Sequence, residues 1–418
     1  MHQPVEQSAG GSVDRLAFFL DITIDISDTA PRIFQLLLYD AQLGLGTAYN
    51  KVVSSAVDRI EVCMNEEIYL KLAKHLDRLP DGFPPSLTGA DLRLLKKLFT
   101  PEEAELAVYL TLDREIANVI ATRAALALDT VDQRLAEMAK KGLILSIRDE
   151  NGACSYQAVP LVVGIYEMQV NNLSVDLLDA FDDYWSTIEE RPQPETIPQM
   201  RTIPIGQSIE SHLEAMPYEQ VSELVNAQTR FAVAPCICRR QAKLRGGGCT
   251  APEESCLVFG DWADFYARTG RGRAIDRSEM IVLLARADAA NLVLQPSNSR
   301  DVSFICCCCG CCCGVLASLK NHPRPTDVVA SAFIATLAPE TCQGCWTCLD
   351  RCQMQALIED GDRVALKSER CIGCGLCVTT CPSGSLTLSR KPENKRIQVP
   401  PTLDSTWRII SQAQAQTN

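Results

Sequence analysis

CQGCWTCLDRC at Cys342–Cys352 and CIGCGLCVTTCP at Cys371–Pro382 are the two stretches that decide what the last part of this chain becomes. Each reads CxxCxxCxxxC, and every cysteine of the second lies 29 residues after its counterpart, so the region is an internal repeat. A cubane iron–sulfur cluster needs four converging thiolates. Three cysteines spaced by two residues can wrap a tight loop around three irons, and the fourth must come from elsewhere. Gly344, Gly373 and Gly375 suit loops whose backbone approaches sulfur closely, where a side chain would crowd the cluster. CxxC pairs also hold zinc, and cysteines form disulfides, but eight cysteines in a doubled triple spacing favour clusters.

This stretch closely resembles the bacterial-type ferredoxin domain with two [4Fe-4S] clusters, over residues 336–395. The resemblance implies a compact pseudo-twofold fold that carries electrons, and ligands exchanged between the repeats. Cluster 1 would be held by Cys342, Cys345, Cys348 and Cys381, and cluster 2 by Cys371, Cys374, Cys377 and Cys352. Pro382 completes the motif. Gln353 follows Cys352 where the family usually has proline, a change that removes no ligand. Trp346, between two ligands, is placed to shield a cluster or simply to pack.

Outward from the repeat, 418 residues suggest about two to four domains, and a 46% hydrophobic content is ample for buried cores. MHQPVEQSAGGSVDRLAFF at the N-terminus lacks a basic region leading into an apolar core. No apolar run approaches the ~18 residues of a spanning helix, so a cytoplasmic protein without a membrane segment is expected. Twenty-one cysteines in a reducing compartment favour metal ligation over disulfides. The formal charge of −12 becomes about −16 once two oxidised cubanes are counted. Such a surface disfavours nucleic acid and favours basic patches on redox protein partners.

Residues 1–65 are an N-terminal extension without assignable role, in which Cys63 reads as a buried small hydrophobe. Residues 66–165 read as a winged-helix-like domain. Thr100, Pro101 and Glu103 supply an N-cap, a first-turn proline and a capping-box partner for a helix through Leu110. Ile116, Val119 and Ile120 share a face of a second helix, and a third runs from Val131 through Leu135 and Met138 to Gly142. Leu143, Leu145 and Ile147 then alternate with polar residues, Asn151-Gly152 makes a hairpin turn, and Ser155–Val159 returns as the partner strand. Such domains resemble DNA-binding regulators, which makes a redox-sensing regulator an alternative. The charges argue against it. Arg134, Lys140 and Lys141 on the third helix are accompanied by Asp132 and Glu137, and Arg148 stands beside Asp149 and Glu150, where a groove reader needs a basic stripe. The segment ATRAALALDT before the third helix also reads as a loop longer than a tight turn, without glycine. Docking or dimerisation is the favoured use.

Residues 166–230 read as a helical linker region, with an acidic amphipathic helix in VNNLSVDLLDAFDDYWSTIEE and a lone His212 that is solvent-facing or structural. Residues 231–335 read as a cysteine-rich α/β domain. Its first constellation, PCICRR followed by RGGGCTAPEESC, places Cys236, Cys238, Cys249 and Cys256 within 21 residues, enough for one cubane or one zinc. Its second, FICCCCGCCCG, holds seven cysteines. Adjacent side chains of an extended chain point to opposite faces, so about four at most should converge. Cys306, Cys308, Cys309, Cys311, Cys312 and Cys313 are the candidates, with Asn298 and Ser299 nearby as donors to sulfur. No phosphate-binding or dinucleotide pattern occurs.

Together these motifs resemble a prokaryotic family of large iron–sulfur proteins described as 4Fe-4S dicluster-domain proteins, over roughly residues 65–395. That family commonly has Asn where this chain has Cys307, which implies a spare thiol there. The expected architecture is multidomain α+β, ending in a tail over 396–418. The expected cofactors are two [4Fe-4S] clusters and one or two further iron–sulfur clusters. The expected activity is transfer of low-potential electrons to a redox partner or to the internal cysteine-rich domain, the alternative being a reductase, an oxidoreductase with its active site at Cys306–Cys313.

Overall fold

The capping box written into Thr100–Glu103 forms as its residues dictate: Thr100 Oγ1 accepts from the Glu103 amide at 3.3 Å, and Glu103 Oε2 from the Thr100 amide at 2.9 Å. The computed structural model describes residues 66–188, 196–206, 208–209 and 215–417, so the readings of Cys63 and His212 fall outside the described residues. Helix α1 spans 66–76, α2 Ala90–Leu98 and α3 Pro101–Ala107, the last ending three residues short of the expected Leu110. Strand β1 (Glu115–Ile116) leads into α4 (Ala117–Ala124), and α5 (Leu128–Lys141) stops at a left-handed Gly142. The long loop expected over 121–130 is corrected to a three-residue connection. Ala125 takes the left-handed conformation (φ 54) that a glycine usually supplies. Strands β2 (Leu145–Arg148) and β3 (Cys154–Gln157) pair antiparallel, and β1 adds to β3. Ser174 caps α6 (Val175–Thr187), which packs on α2.

In the cysteine-rich region β4 (Phe231–Pro235), α7 (Ile237–Leu244), β5 (Glu254–Phe259), α8 (Gly260–Arg268), β6 (Arg273–Ile275), α9 (Arg277–Ala289), β7 (Val293–Pro296) and β8 (Phe304–Cys308) follow in order. The expected α/β arrangement is corrected here. Helices alternate with strands, but the five-stranded sheet, ordered β6-β4-β5-β8-β7, is antiparallel at every pairing, because β5, β6 and β7, which α8 and α9 connect in the same sense, are never neighbours: β4 and β8 run the other way between them. Strand alternation divides its side chains. Ala232, Ala234, Val258 and Phe304 enter a core shared with Trp262, Phe265 and the N-terminal helices. Phe231, Val233, Leu257 and Ile305 enter a second core with Leu283 of α9.

Helix α10 (Gly314–Asn321) leads to the repeat, which two strands bracket: β9 (Phe333–Leu337) before the first run pairs antiparallel with β12 (Leu386–Arg390) after the second. Between them lie α11 (Thr347–Arg351) and the hairpin of β10 (Leu357–Asp360) with β11 (Arg363–Leu366). The segment expected as a tail carries α12 (Leu403–Thr417), whose fully buried Trp407 donates to Gln199 Oε1 at 2.6 Å. The whole of Glu66–Asn418 is one compact unit of mixed helix and sheet. Among the described residues no helix is long and apolar enough to cross a membrane.

Candidate metal centres

The eight cysteines of the repeat fall around two separate cavities. Cys342, Cys345, Cys348 and Cys381 line one together with Trp346 and Ser385. Cys352, Cys371, Cys374 and Cys377 line the other with Met354 and Leu376. The loops can pass this close only because Gly344 (φ 63) and its repeat counterpart Gly373 (φ 70) are left-handed. A Cβ on either would lie 2.3 Å from Asp362 O or 2.2 Å from Phe333 O. Backbone amides aim at sulfur: Ala356 N is 3.1 Å from Cys352 Sγ and Ala335 N is 3.3 Å from Cys371 Sγ. Four thiols around each small cavity, with amides donating to sulfur in the second, are a donor set that fits a cubane. The two cavities differ in exposure, since Cys345 reaches solvent while Cys371 is buried.

Residues 341–386 match the family model of the 4Fe-4S dicluster domain. This repeat is a 4Fe-4S dicluster domain of the ferredoxin type. Nothing among curated proteins or solved structures matches the chain.

The dicluster domain sits on the cysteine-rich region through its second cavity's side. Arg351 Nε donates to Leu376 O at 3.0 Å and its Nη1 to Asp288 O at 2.7 Å. Arg370 joins Met354 O to Lys320 O, at 3.0 and 2.9 Å. Ile205 N donates to Cys374 O at 3.0 Å, and Gly375 abuts Ser208, whose Oγ an added Cβ would meet at 2.3 Å. Gln353 bridges the two regions directly. Its Oε1 accepts from Gly310 N at 2.7 Å and its Nε2 donates to Asn291 O at 2.9 Å.

Gly310 belongs to the seven-cysteine run, and there the structure regroups the thiols. Cys236, Cys238, Cys256, Cys306, Cys308 and Cys313 line a cavity of ≈ 770 Å³ beside the sheet. Cys256 and Cys306 are cross-strand partners. Cys236 caps the N-terminus of α7 and Cys313 that of α10. The neighbouring Cys238 thiol is the main cause that lowers both Cys236 and Cys313 below the usual thiol range, with the α10 amides of Val315 and Leu316 assisting at Cys313. Cys249 leaves the set Cys236, Cys238, Cys256 in which the sequence placed it and joins Cys309, Cys311 and Cys312. The reason is that the β4–β5 connection carries Cys249 over the β8–α10 loop, a proximity that chain spacing does not record. Cys307 faces the second core, where burial pushes its thiol up to about 12. Asn298 and Ser299 do not donate to sulfur. Asn298 Nδ2 donates to Pro198 O at 3.0 Å and Ser299 Oγ to Asp301 O at 2.7 Å, while Gln295 Nε2 lies 3.9 Å from Cys313 Sγ.

Three side chains of this site are absent from the sequence reading. Arg239, visible there only as part of PCICRR, is 1% exposed and donates to Cys307 O at 2.8 Å. Tyr166 and Glu167 line the cavity. Glu167 accepts from Gly164 N at 2.8 Å across a kink in which Val163 is left-handed (φ 62), and burial raises its carboxyl to about 7. No motif marks it. A dicluster domain and a separate cluster of thiols point together to iron–sulfur electron transfer.

Proposed function

We propose that this protein is an iron–sulfur electron-transfer protein whose dicluster domain accepts low-potential electrons at its Cys345 edge and delivers them inward, to a further iron–sulfur centre at the six-thiol cavity. In this reading Cys342, Cys345, Cys348 and Cys381 hold the outer cluster, and Cys352, Cys371, Cys374 and Cys377 the inner one. When bound, each cubane supplies a one-electron store whose charge is spread over four irons. The observation that carries the reading is the bridge of Gln353, covalently next to ligand Cys352 and hydrogen-bonded to Gly310 in the thiol-rich loop. Arg351 and Arg370 fix the same face, so that the inner half of the repeat is held against α9 and α10 of the cysteine-rich region.

Residues 100–159 serve in this scheme as a winged helix used for packing. Lys141 pairs with Glu103 at 2.6 Å, and Arg268 of α8 donates to Ser146 O of β2 at 2.9 Å, so the wing's first strand is occupied by the protein itself. Asp132 and Glu137 remain exposed on α5, a poor match for phosphates. A second reading, a reductase with substrate in the cavity, is favoured by one observation: a protonatable carboxyl, Glu167, among the lining residues.

The test is acid-labile sulfide in anaerobically purified protein. The dicluster domain alone supplies about 8 per chain, and the proposal expects more, with the excess lost in a Cys256→Ala, Cys306→Ala double variant. A value of eight in both proteins would defeat the internal acceptor and leave an external redox partner.

A further inference from the structure

Four thiols differ from the other seven of the cysteine-rich region in how closely they stand. The Sγ atoms of Cys249, Cys309, Cys311 and Cys312 all lie within 4.8 Å of one another. Cys249 is 3.7 Å from Cys309 and 3.8 Å from Cys312, and Cys311 is 3.7 Å from Cys312. Sulfurs bound to one tetrahedral ion at the ~2.3 Å of a zinc–thiolate bond stand about 3.8 Å apart, the edge of that tetrahedron. Thiolates on a four-iron cubane are carried by four separate metals and radiate outward, so they stand much wider. Among the described residues no other set of histidine, cysteine or acidic ligands is drawn together this tightly, the two sets of the dicluster domain included.

We propose that Cys249, Cys309, Cys311 and Cys312 bind a single tetrahedral metal ion, zinc or one iron, as a mononuclear tetrathiolate site distinct from every cubane. Four protein ligands and no open position make it a closed site of the structural kind. The surroundings complement its charge. A divalent ion with four thiolates carries about two negative charges, and the buried guanidinium of Arg239 lies against Cys249 and Cys309. Gly310, between two of the ligands, packs so closely on Gln353 that an added Cβ would meet Gln353 O at 2.9 Å, which fixes where Cys309 and Cys311 diverge.

The position gives the ion a role. Cys249 follows three exposed glycines in the β4–β5 connection, and Cys309 lies 60 residues further on, beyond β8. Cys309, Cys311 and Cys312 line the cavity, and Cys311 is exposed to solvent. The ion therefore clamps two loops across the cavity's rim. The site stands whether or not the cavity holds an electron acceptor, since it uses none of the six thiols assigned there.

The experiment uses the full chain, purified anaerobically, with zinc, iron and acid-labile sulfide measured in the wild type and in Cys249→Ser and Cys311→Ser. Expected is one metal ion per chain unmatched by sulfide, read as zinc or as iron exceeding sulfide by one, and its loss in both variants with sulfide unchanged. Trypsin should also cut the variants after Lys243 or Arg245 at least about tenfold faster, as the unclamped loop opens. A fall of about four sulfides together with the metal would mean a cubane and overturn the proposal. So would an unmatched ion that survives both substitutions, or none in the wild type.

Discussion

The dicluster domain and the cysteine-rich region gather thiols in opposite ways. In the first, three of each four come from one short loop, with backbone conformation doing the work: Gly344 and Gly373 bend the chain and amides point at sulfur. In the second, the thiols come from several elements, helix starts at Cys236 and Cys313, the strands of Cys256, Cys306 and Cys308, and a glycine-led loop at Cys249, and antiparallel pairing helps bring them together. Local gathering tolerates changes around it but no change within the loop. Distributed gathering depends on the whole sheet and leaves a cavity that loops alone would not make.

The largest effect should come from breaking the exchange of ligands between the repeats. Replacing Cys381 with Ala should cost the cluster of the first run and Cys352→Ala that of the second, each removing about four iron and four sulfide per chain. Magnetic spectra of the two variants would reveal the opposite pattern, each run keeping its own cluster, if the comparison is drawn wrongly. Next, Gly373→Ala forces a side chain into a left-handed position against Phe333 O. A loss of about 4 kcal/mol in denaturant unfolding is expected from strain and overpacking together. A loss below about 1 kcal/mol would show that the loop adapts.

Glu167 probes the other region. Its folded carboxyl titrates at about 7 against the ordinary 4.5, because burial disfavours the charge. Between those values the folded protein keeps a proton that the unfolded chain has lost. Stability therefore falls as pH rises through this window, by about 3 kcal/mol in all. Glu167→Gln should flatten that slope, and an unchanged slope between pH 4.5 and 7 would place the effect elsewhere. Smallest is Gln353→Leu, which deletes two hydrogen bonds between the regions. About 2 kcal/mol of stability should be lost with sulfide content intact, and a coincident loss of sulfide would mean that Gln353 supports the cluster itself.

What the sequence revealed follows the same division. The ligand loops were legible because their spacing is their geometry, and Thr100–Glu103 and Gly142 were legible because capping chemistry is local. The partners of Cys249 were not, for it lies seven residues before Cys256 in the chain yet folds onto Cys309. The turn at Ala125 was missed because alanine accepts a strained left-handed conformation, at about 1 kcal/mol, that only tertiary packing repays. Glu167 left no signal because its environment, not its neighbours in sequence, makes it unusual.

Under the proposed ligand assignment, the contacts of Ile205 and Ser208 with the Cys374–Gly375 loop carry an expectation for the order of assembly and repair. A cubane reaching the inner ligands has to be installed before that cover lies down, whereas the outer set keeps an entrance at Cys345. Oxidative damage and rebuilding should thus be confined to the outer position in folded protein. Labelled iron and sulfide offered to oxidised, folded protein should enter the outer cluster first. Equal labelling of both would show that the cover lifts freely.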